Sequence, residues 1–208
     1  MNDFEKLFED KIHEVLGSKD PAHDLSHVKR VVSVAKKLAI EEKAISEVVI
    51  PAAWLHDLVN LPKNHPDRKK ASVLAADEAL KFLSSVNYPE KYFEGIHHAI
   101  CAHSFSAGIT PLTPEAKIVQ DADRLDGLGA IGLARLFSIS TQMNTAFYDS
   151  NDPFAASRPL DDKLFAIDHI YIKLEKISKS MNTLSSQIEG ARRFTFIEEF
   201  LKELKSEL

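Results

Sequence analysis

The doublet His56-Asp57 follows the apolar run Ile50-Pro51-Ala52-Ala53-Trp54-Leu55 and precedes a loop rich in proline and lysine. Packing alone does not account for two good metal ligands side by side at the end of a hydrophobic segment. In chain order the doublet is preceded by His27, within His23-Asp24-Leu25-Ser26-His27. It is followed by the carboxylates of Asp121-Ala122-Asp123-Arg124-Leu125-Asp126. Imidazoles and carboxylates scattered in this way, each beside an apolar helix face, suit a hard or borderline divalent cation in a site that also holds water. Mn²⁺ is the first choice, with Mg²⁺, Fe²⁺, Co²⁺, Zn²⁺ and Ni²⁺ as alternatives, and four protein ligands leave positions for water and phosphate. A cation so held acidifies a bound water and offsets charge developing on phosphoryl oxygens.

Each of these residues has a plainer reading by itself. A lone histidine on an apolar face is more often a hydrogen-bonded core residue, an aspartate more often a cap or an ion-pair partner, and an acidic cluster more often a solvated face. The argument for a metal rests on the set, because buried polar groups need partners.

The elements that must position the set are helical. Phe4, Leu7, Phe8, Ile12, Val15 and Leu16 recur at helical spacing up to Gly17. Asp24 is a candidate cap for a second helix with the stripe Val28, Val31, Val32, Ala35, Leu38 and Ala39, which His27 borders. A third stretch carries Ile45, Val48, Val49, Ala52 and Leu55, with His56 one turn after Ala52, and Pro51 is expected to kink it or begin a new helix. Leu61 to Arg68 reads as a loop. Helices resume over Val73–Leu83, Tyr92–His103 and Ile118–Leu125, and from Leu128 towards Phe147. Tyr148 to Pro159 is a long surface loop, whose acidic stretch Asp149–Asp152 and Arg158 could line an entrance. Two further helices follow, one with Ile167, Ile170, Leu174 and Ile177, the other with Leu184, Ile188, Ala191, Phe200, Leu201 and Leu204. Without alternating strands or internal repeats, the expectation is an all-α helical bundle forming a single domain over 1–208.

Composition narrows the function classes. The chain has 208 residues, 44% of them hydrophobic, enough for one well-buried domain. A formal net charge of −5 argues against a nucleic-acid coat or a polybasic membrane anchor. Cys101 is the only cysteine, so neither a disulfide framework nor a thiolate zinc cluster can form within the chain. The acidic, amphipathic start lacks a signal-peptide pattern, and no run is long enough to span a bilayer, so a cytoplasmic location is expected. Gly127-Leu128-Gly129-Ala130-Ile131-Gly132 fits G-x-G-x-x-G, but a helical pattern precedes it where a dinucleotide fingerprint requires a strand. The small residues are better read as letting this helix pack close to a neighbour.

With His27, His56-Asp57 and Asp-Ala-Asp-Arg-Leu-Asp in this order, the chain resembles the HD-domain metal-dependent phosphohydrolases, whose signature is H…HD…D. The resemblance runs from His23 to about Arg135, with the helices of 160–208 expected to pack on that region. The stretches Trp54-Leu55-His56-Asp57-Leu58-Val59-Asn60-Leu61-Pro62-Lys63 and Asp121–Gly132 look like a bacterial single-domain subgroup. That likeness implies hydrolysis of nucleoside triphosphates to monophosphate and pyrophosphate. The superfamily fold it implies is a helical bundle.

Carried over, the signature makes His27, His56 and Asp57 the first three metal ligands and implies Asp123, in its Ala-Asp-x-Leu context, as the fourth. Periodicity alone leaves Asp121 and Asp126 open as alternatives or outer-sphere partners. Asp57 can also orient the attacking water, and His23 can donate a proton to the leaving group or simply cap its helix. Lys63, Arg68 and Arg124 are candidate triphosphate contacts, against a plain reading as surface cations. His97, His98 and His103 raise the question of a second metal, but the closer resemblance is to mononuclear enzymes, which makes His98 and His103 substrate-binding or network residues. The partner expected is a small nucleotide, with no nucleic-acid polymer and no membrane. The competing readings are a 5′-nucleotidase or phosphodiesterase on the same metal, or a nucleotide-sensing module without turnover.

Overall fold

The computed structural model describes residues 2–16, 25–59, 61, 65, 67–104 and 107–208, so Gly17, His23, Asp24 and Lys63 of the readings above lie outside it. Its regular elements are helices, with one isolated bridge between Ala146 and Phe165. The fold is the all-α type expected from the periodicity. Internal contacts divide the chain into two compact units, Met1–Asp123 and Arg124–Leu208.

The first unit contains α1 (Asn2–Leu16), α2 (Leu25–Glu41), α3 (Ser46–Leu55), α4 (Ala71–Ser85), α5 (Phe93–His103) and most of α6 (Pro114–Asp126). Helix α2 is amphipathic and buries the whole stripe from Val28 to Ala39 that its spacing predicts. In contrast, α3 is apolar on all sides and every residue from Val48 to Leu55 is buried, which makes it the central helix. Pro51 does not interrupt it. Proline has no amide to donate, so the carbonyl four residues back, on Glu47, loses its helical partner. The Tyr88 hydroxyl donates to that carbonyl at 2.8 Å instead. The Tyr88 ring also packs edge-on against Phe4 and Phe8 of α1. The Glu5 carboxylate accepts from Lys36 of α2 (2.6 Å) and from the Trp54 indole of α3 (3.2 Å). Gly95 brings α5 against α3, since a Cβ there would lie 3.2 Å from a Val48 methyl. Leu7 and Val15, counted in the apolar pattern of α1, are 42% and 43% exposed; the buried side of that helix is Phe8 and Ile12.

One device ends three of the helices. Lys43, Asn87 and Asn144 have φ near +54 to +55, and the next amide in each case bonds back to the final turn. These bonds are Ala44 N–H to Ala39 O, Tyr88 N–H to Leu83 O and Thr145 N–H to Ser140 O, each 2.9 Å. Asn144 therefore stops α7 (Gly129–Gln142) short of the expected extent towards Phe147.

The second unit continues with α7, α8 (Ala166–His169), a π-turn over Ile170–Leu174, α9 (Glu175–Ser178) and α10 (Leu184–Glu207). The glycine-rich stretch proves to be a local packing feature. A Cβ at Gly132 would overlap the Gly127 carbonyl, and Gly129 has φ +69. The loop before α8 is held internally. Asp152 accepts from the amides of Ala156, Ser157 and Arg158, which, led by Ser157, draw its carboxyl down to about 2. Arg158, suggested by sequence as an entrance residue, makes two bonds (2.6 and 2.9 Å) to the fully buried Asp168. In α10 the first part of the expected core stripe faces outward, while its last member, Leu204, is buried as expected. Leu184 and Ile188 are 67% and 65% exposed, whereas Ser186, Gly190, Ile197 and Leu204 are buried. Small residues decide this, since Gly190 would already place a Cβ 3.2 Å from the Met181 side chain.

Candidate metal centre

Three helices of the first unit and the end of a fourth bring the signature residues together. His27 is in the first turn of α2, on the same buried stripe as Val28 and Val31. His56 caps the C-terminus of α3 and Asp57 follows it, just beyond the apolar run that buries that helix. His103 is the last residue of α5. Asp123 lies one turn after Gln120 in α6. The Gln120 amide donates to Ala102 O at 2.6 Å, and Glu115, at the start of α6, accepts from the Ile45 amide ahead of α3 at 3.0 Å. These two contacts set α6 against the ends of α5 and α3. Sequence reasoning missed both residues, since nothing local marks a side chain whose partner is a distant backbone group.

Ligand atoms of His27, His56 and Asp57 all lie within 4.8 Å of one another, a spacing that can hold a metal ion. Nε2 of His27 is 3.4 Å from Asp123 Oδ1 and 3.8 Å from Asp57 Oδ2, and Nε2 of His56 is 3.4 Å from Asp57 Oδ2. The imidazoles are buried and the carboxylates part-exposed, so the centre opens to solvent on its acidic side. His56 Nδ1 faces the Ala53 carbonyl at 2.9 Å. A carbonyl can only accept, so Nδ1 carries the hydrogen and Nε2 presents its lone pair towards the carboxylates. That buried Nε2 has no hydrogen-bond partner, which is the state of a nitrogen suited to a cation.

The electrostatics agree. Burial would raise the Asp57 carboxyl, but His56, then His103 and His27, hold it well below the usual carboxylate range. Burial likewise opposes ionisation of Asp123, and His27 overcomes it, so Asp123 is also lowered. Burial would lower His56, but Asp57 and Asp123 outweigh it and set it above the ordinary histidine value. Two ionised carboxylates among buried imidazoles require positive charge, and a divalent cation supplies it by displacing protons.

His103 also belongs to this cluster. Its Nδ1 donates to Ile100 O at 2.6 Å, its Nε2 lies 3.8 Å from Asp57 Oδ1, and its ring is 4.9 Å from that of His56. Burial and then the neighbouring His56 lower its pKa, which favours the neutral form. The remaining sequence candidates are engaged elsewhere. His98 accepts from the Leu112 amide (2.9 Å), Arg68 donates to Leu61 O, and Arg124 donates to Ser180 O (2.8 Å). Asp121 is fully buried in α6, and Asp126 pairs with Arg135.

A model of the HD domain matches residues 24–128, the stretch that carries all of these ligands. The chain belongs to the HD-domain family. Family members of known structure align over nearly its whole length. An HD-superfamily hydrolase from Bacillus thuringiensis is 27% identical, with a TM-score of 0.78 covering 99% of this chain and 97% of its own. YpgQ of Bacillus subtilis, an uncharacterized protein, is 29% identical over 201 residues, 95% of this chain and 90% of YpgQ. Its crystal structure in complex with ADP superposes with a TM-score of 0.77 over 98% of this chain and 97% of that one, at 26% identity. Membership in this HD family implies a metal-dependent phosphohydrolase. Among the described residues no helix is long and apolar enough to cross a membrane.

Proposed function

We propose that this HD-domain protein hydrolyses nucleoside triphosphates to nucleoside monophosphate and pyrophosphate, with Mn²⁺ as the favoured ion. The observation that carries the reading is the convergence of His27, His56, Asp57 and Asp123 in one half-open cluster. The ADP complex of YpgQ supports a nucleotide as the ligand class. The proposed ligands are His27 Nε2, His56 Nε2, Asp57 and Asp123; Asp123 is preferred to Asp121 and Asp126 because its Oδ1 is 3.4 Å from His27. When bound, the ion supplies Lewis acidity to water and to phosphoryl oxygens.

The protein's own groups do the positioning. Asp57 directs Oδ2 towards His27 and His56 and Oδ1 towards His103, so one oxygen can ligate while the other orients the attacking water. The neutral His103 is placed to accept a hydrogen bond from that water or from the substrate. The water oxygen bonds to the α-phosphorus and releases a proton to His103 Nε2 or solvent, the bond from that phosphorus to the bridging oxygen breaks, and the proton required by departing pyrophosphate comes from His23 or solvent. Lys63, Arg68, Arg124 and His98 are carried forward from the sequence as proposed substrate contacts, and for the last three this requires exchanging the bonds they make to Leu61 O, Ser180 O and the Leu112 amide. Residues 1–208 are proposed to act as one domain, a reading supported by alignment of the solved relatives over 97–100% of the chain.

Incubation of the purified protein with Mn²⁺ and a nucleoside triphosphate panel tests the reaction. Monophosphate and pyrophosphate are the expected products. Orthophosphate as the sole inorganic product would overturn the bond choice and favour a nucleotidase, and product from a diester alone would favour a phosphodiesterase. Nucleotide binding without turnover across the panel would favour a sensing module.

A further inference from the structure

Helix α4 buries a polar side chain for which the fold supplies no partner. Ser72, in its first turn, is 3% exposed, and its Oγ makes no hydrogen bond. Helical hydroxyls commonly bond back to a carbonyl of the preceding turn. Ser85, Thr141 and Thr195 do so, to Phe82 O, Phe137 O and Ala191 O at 2.7–3.2 Å, although all three are exposed and have water within reach. Ser72 forgoes this bond in a place where water does not replace it, and a buried hydroxyl left bare costs free energy. Its face continues through the buried residues Ala75, Ala76 and Ala79, so an alanine at position 72 would pack as well without that cost.

The position of Ser72 gives the hydroxyl a use. Helices α4 and α5 are consecutive and pack antiparallel, and the 3.0 Å contact between Asp77 Oδ1 and His97 Nε2 fixes their register. Ser72 is five residues before Asp77, and His103 is six residues after His97. At about 1.5 Å per residue these steps are about 7.5 and 9 Å, so Ser72 is level with His103 to within about 2 Å along the helix axes. A second path leads to the same end of the unit. Arg68, one turn before Ser72 and at the i, i+4 spacing that shares a helix side, donates to Leu61 O, four residues after Asp57. The neighbouring carboxylate of Asp67 is paired with Lys70 at 2.7 Å. A guanidinium and an unpaired hydroxyl suit an anion, and phosphoryl oxygens are acceptors that match both donors.

We infer that Ser72 is a further substrate-contact residue, whose hydroxyl donates to the β/γ end of the triphosphate, the part that departs as pyrophosphate, with Arg68 beside it. The inference rests on the proposed triphosphate hydrolysis. In that reading the α-phosphate is at the metal centre, among His56, Asp57 and His103. Axes of packed helices are about 8–10 Å apart, so a side chain of α4 that is level with His103 serves the phosphates beyond the reacting one. Its cover is no obstacle to such a role, because His56 Nε2, a proposed metal ligand, is buried to the same degree. The free protein bears the cost of the bare hydroxyl, and the bond is gained when the phosphate arrives.

Calorimetric titration of the full-length, Mn²⁺-loaded protein with inorganic pyrophosphate and with AMP tests this contact. Ser72→Ala should raise the pyrophosphate Kd by about 10–100-fold, as expected for the loss of a hydrogen bond to a charged group. The AMP Kd should keep its wild-type value. The variant should also unfold at the same or a higher urea concentration than wild type, because it removes a buried hydroxyl that has no partner. An unchanged pyrophosphate Kd, no pyrophosphate binding by the wild type, or equal losses for AMP and pyrophosphate would each overturn the assignment. A lower urea midpoint would do so too, since it marks Ser72 as a packing residue. The nucleotide panel judges the reaction separately: failure to form pyrophosphate from any triphosphate would remove the hydrolysis reading, and the pyrophosphate titration would still decide for or against Ser72 as a phosphate contact.

Discussion

Asp57 places its two carboxylate oxygens in different company, Oδ2 beside His27 and His56 and Oδ1 towards His103. The doublet, His27 and the acidic cluster were legible in the sequence because residue type and order survive without geometry. The choice among Asp121, Asp123 and Asp126 was not, because at helical spacing the first two occupy opposite edges of one apolar face. Burial and proximity point to different residues there, since the fully buried carboxylate is Asp121 while the part-exposed Asp123 lies 3.4 Å from His27. Likewise, nothing local tells that Arg124 reaches Ser180 or that Asp126 meets Arg135. If Asp123 is the fourth ligand, Asp123→Asn should lower both bound Mn²⁺ and turnover by more than about 100-fold, exceeding the usual cost of losing an outer-sphere partner. Asp121→Asn should retain the metal and change mainly stability. Metal content per chain, measured by elemental analysis, distinguishes the two. The reverse pattern would transfer the ligand role to Asp121.

At the scale of elements, α3 illustrates what periodicity reads and what it does not. Its apolar character was plain, and so was the break in hydrogen bonding that Pro51 imposes. The remedy was not, because the partner for the exposed Glu47 carbonyl is Tyr88, 41 residues away. The outward stripe of α10 makes a related point: bulk and spacing marked Leu184 and Ile188 as core, but the smaller Ser186 and Gly190 allow the closer approach. The Tyr88 hydroxyl can be tested cleanly. Tyr88→Phe keeps the ring against Phe4 and Phe8 and removes only the donor, leaving the part-buried Glu47 carbonyl without its bond. The expected loss is about 1 kcal/mol, seen as a lower urea midpoint at unchanged slope. A midpoint equal to wild type would mean that water or helix relaxation satisfies Glu47 and that Tyr88 contributes only its ring.

Across the whole molecule, the two compact units and the proposed single domain make different claims about cooperativity. All four proposed ligands lie within Met1–Asp123, so an ion that binds only the folded centre stabilises that unit directly. At about 100 times the dissociation constant the gain is about 2.7 kcal/mol, which for a chain of this size corresponds to roughly 5–10 °C in Tm. Trp54 reports on the same unit: it is the only tryptophan, it is buried in α3, and its indole bonds to Glu5. Far-ultraviolet circular dichroism, in contrast, reports the helices of both units. If residues 1–208 are one domain, the fluorescence and dichroism transitions should coincide without metal and move upward together when Mn²⁺ is added. A Trp54 transition that rises with Mn²⁺ while part of the helical signal still melts at its metal-free temperature would mean that Arg124–Leu208 unfolds independently. The metal centre would then stabilise one unit alone, and the single-domain proposal would fail even with the four-ligand site intact.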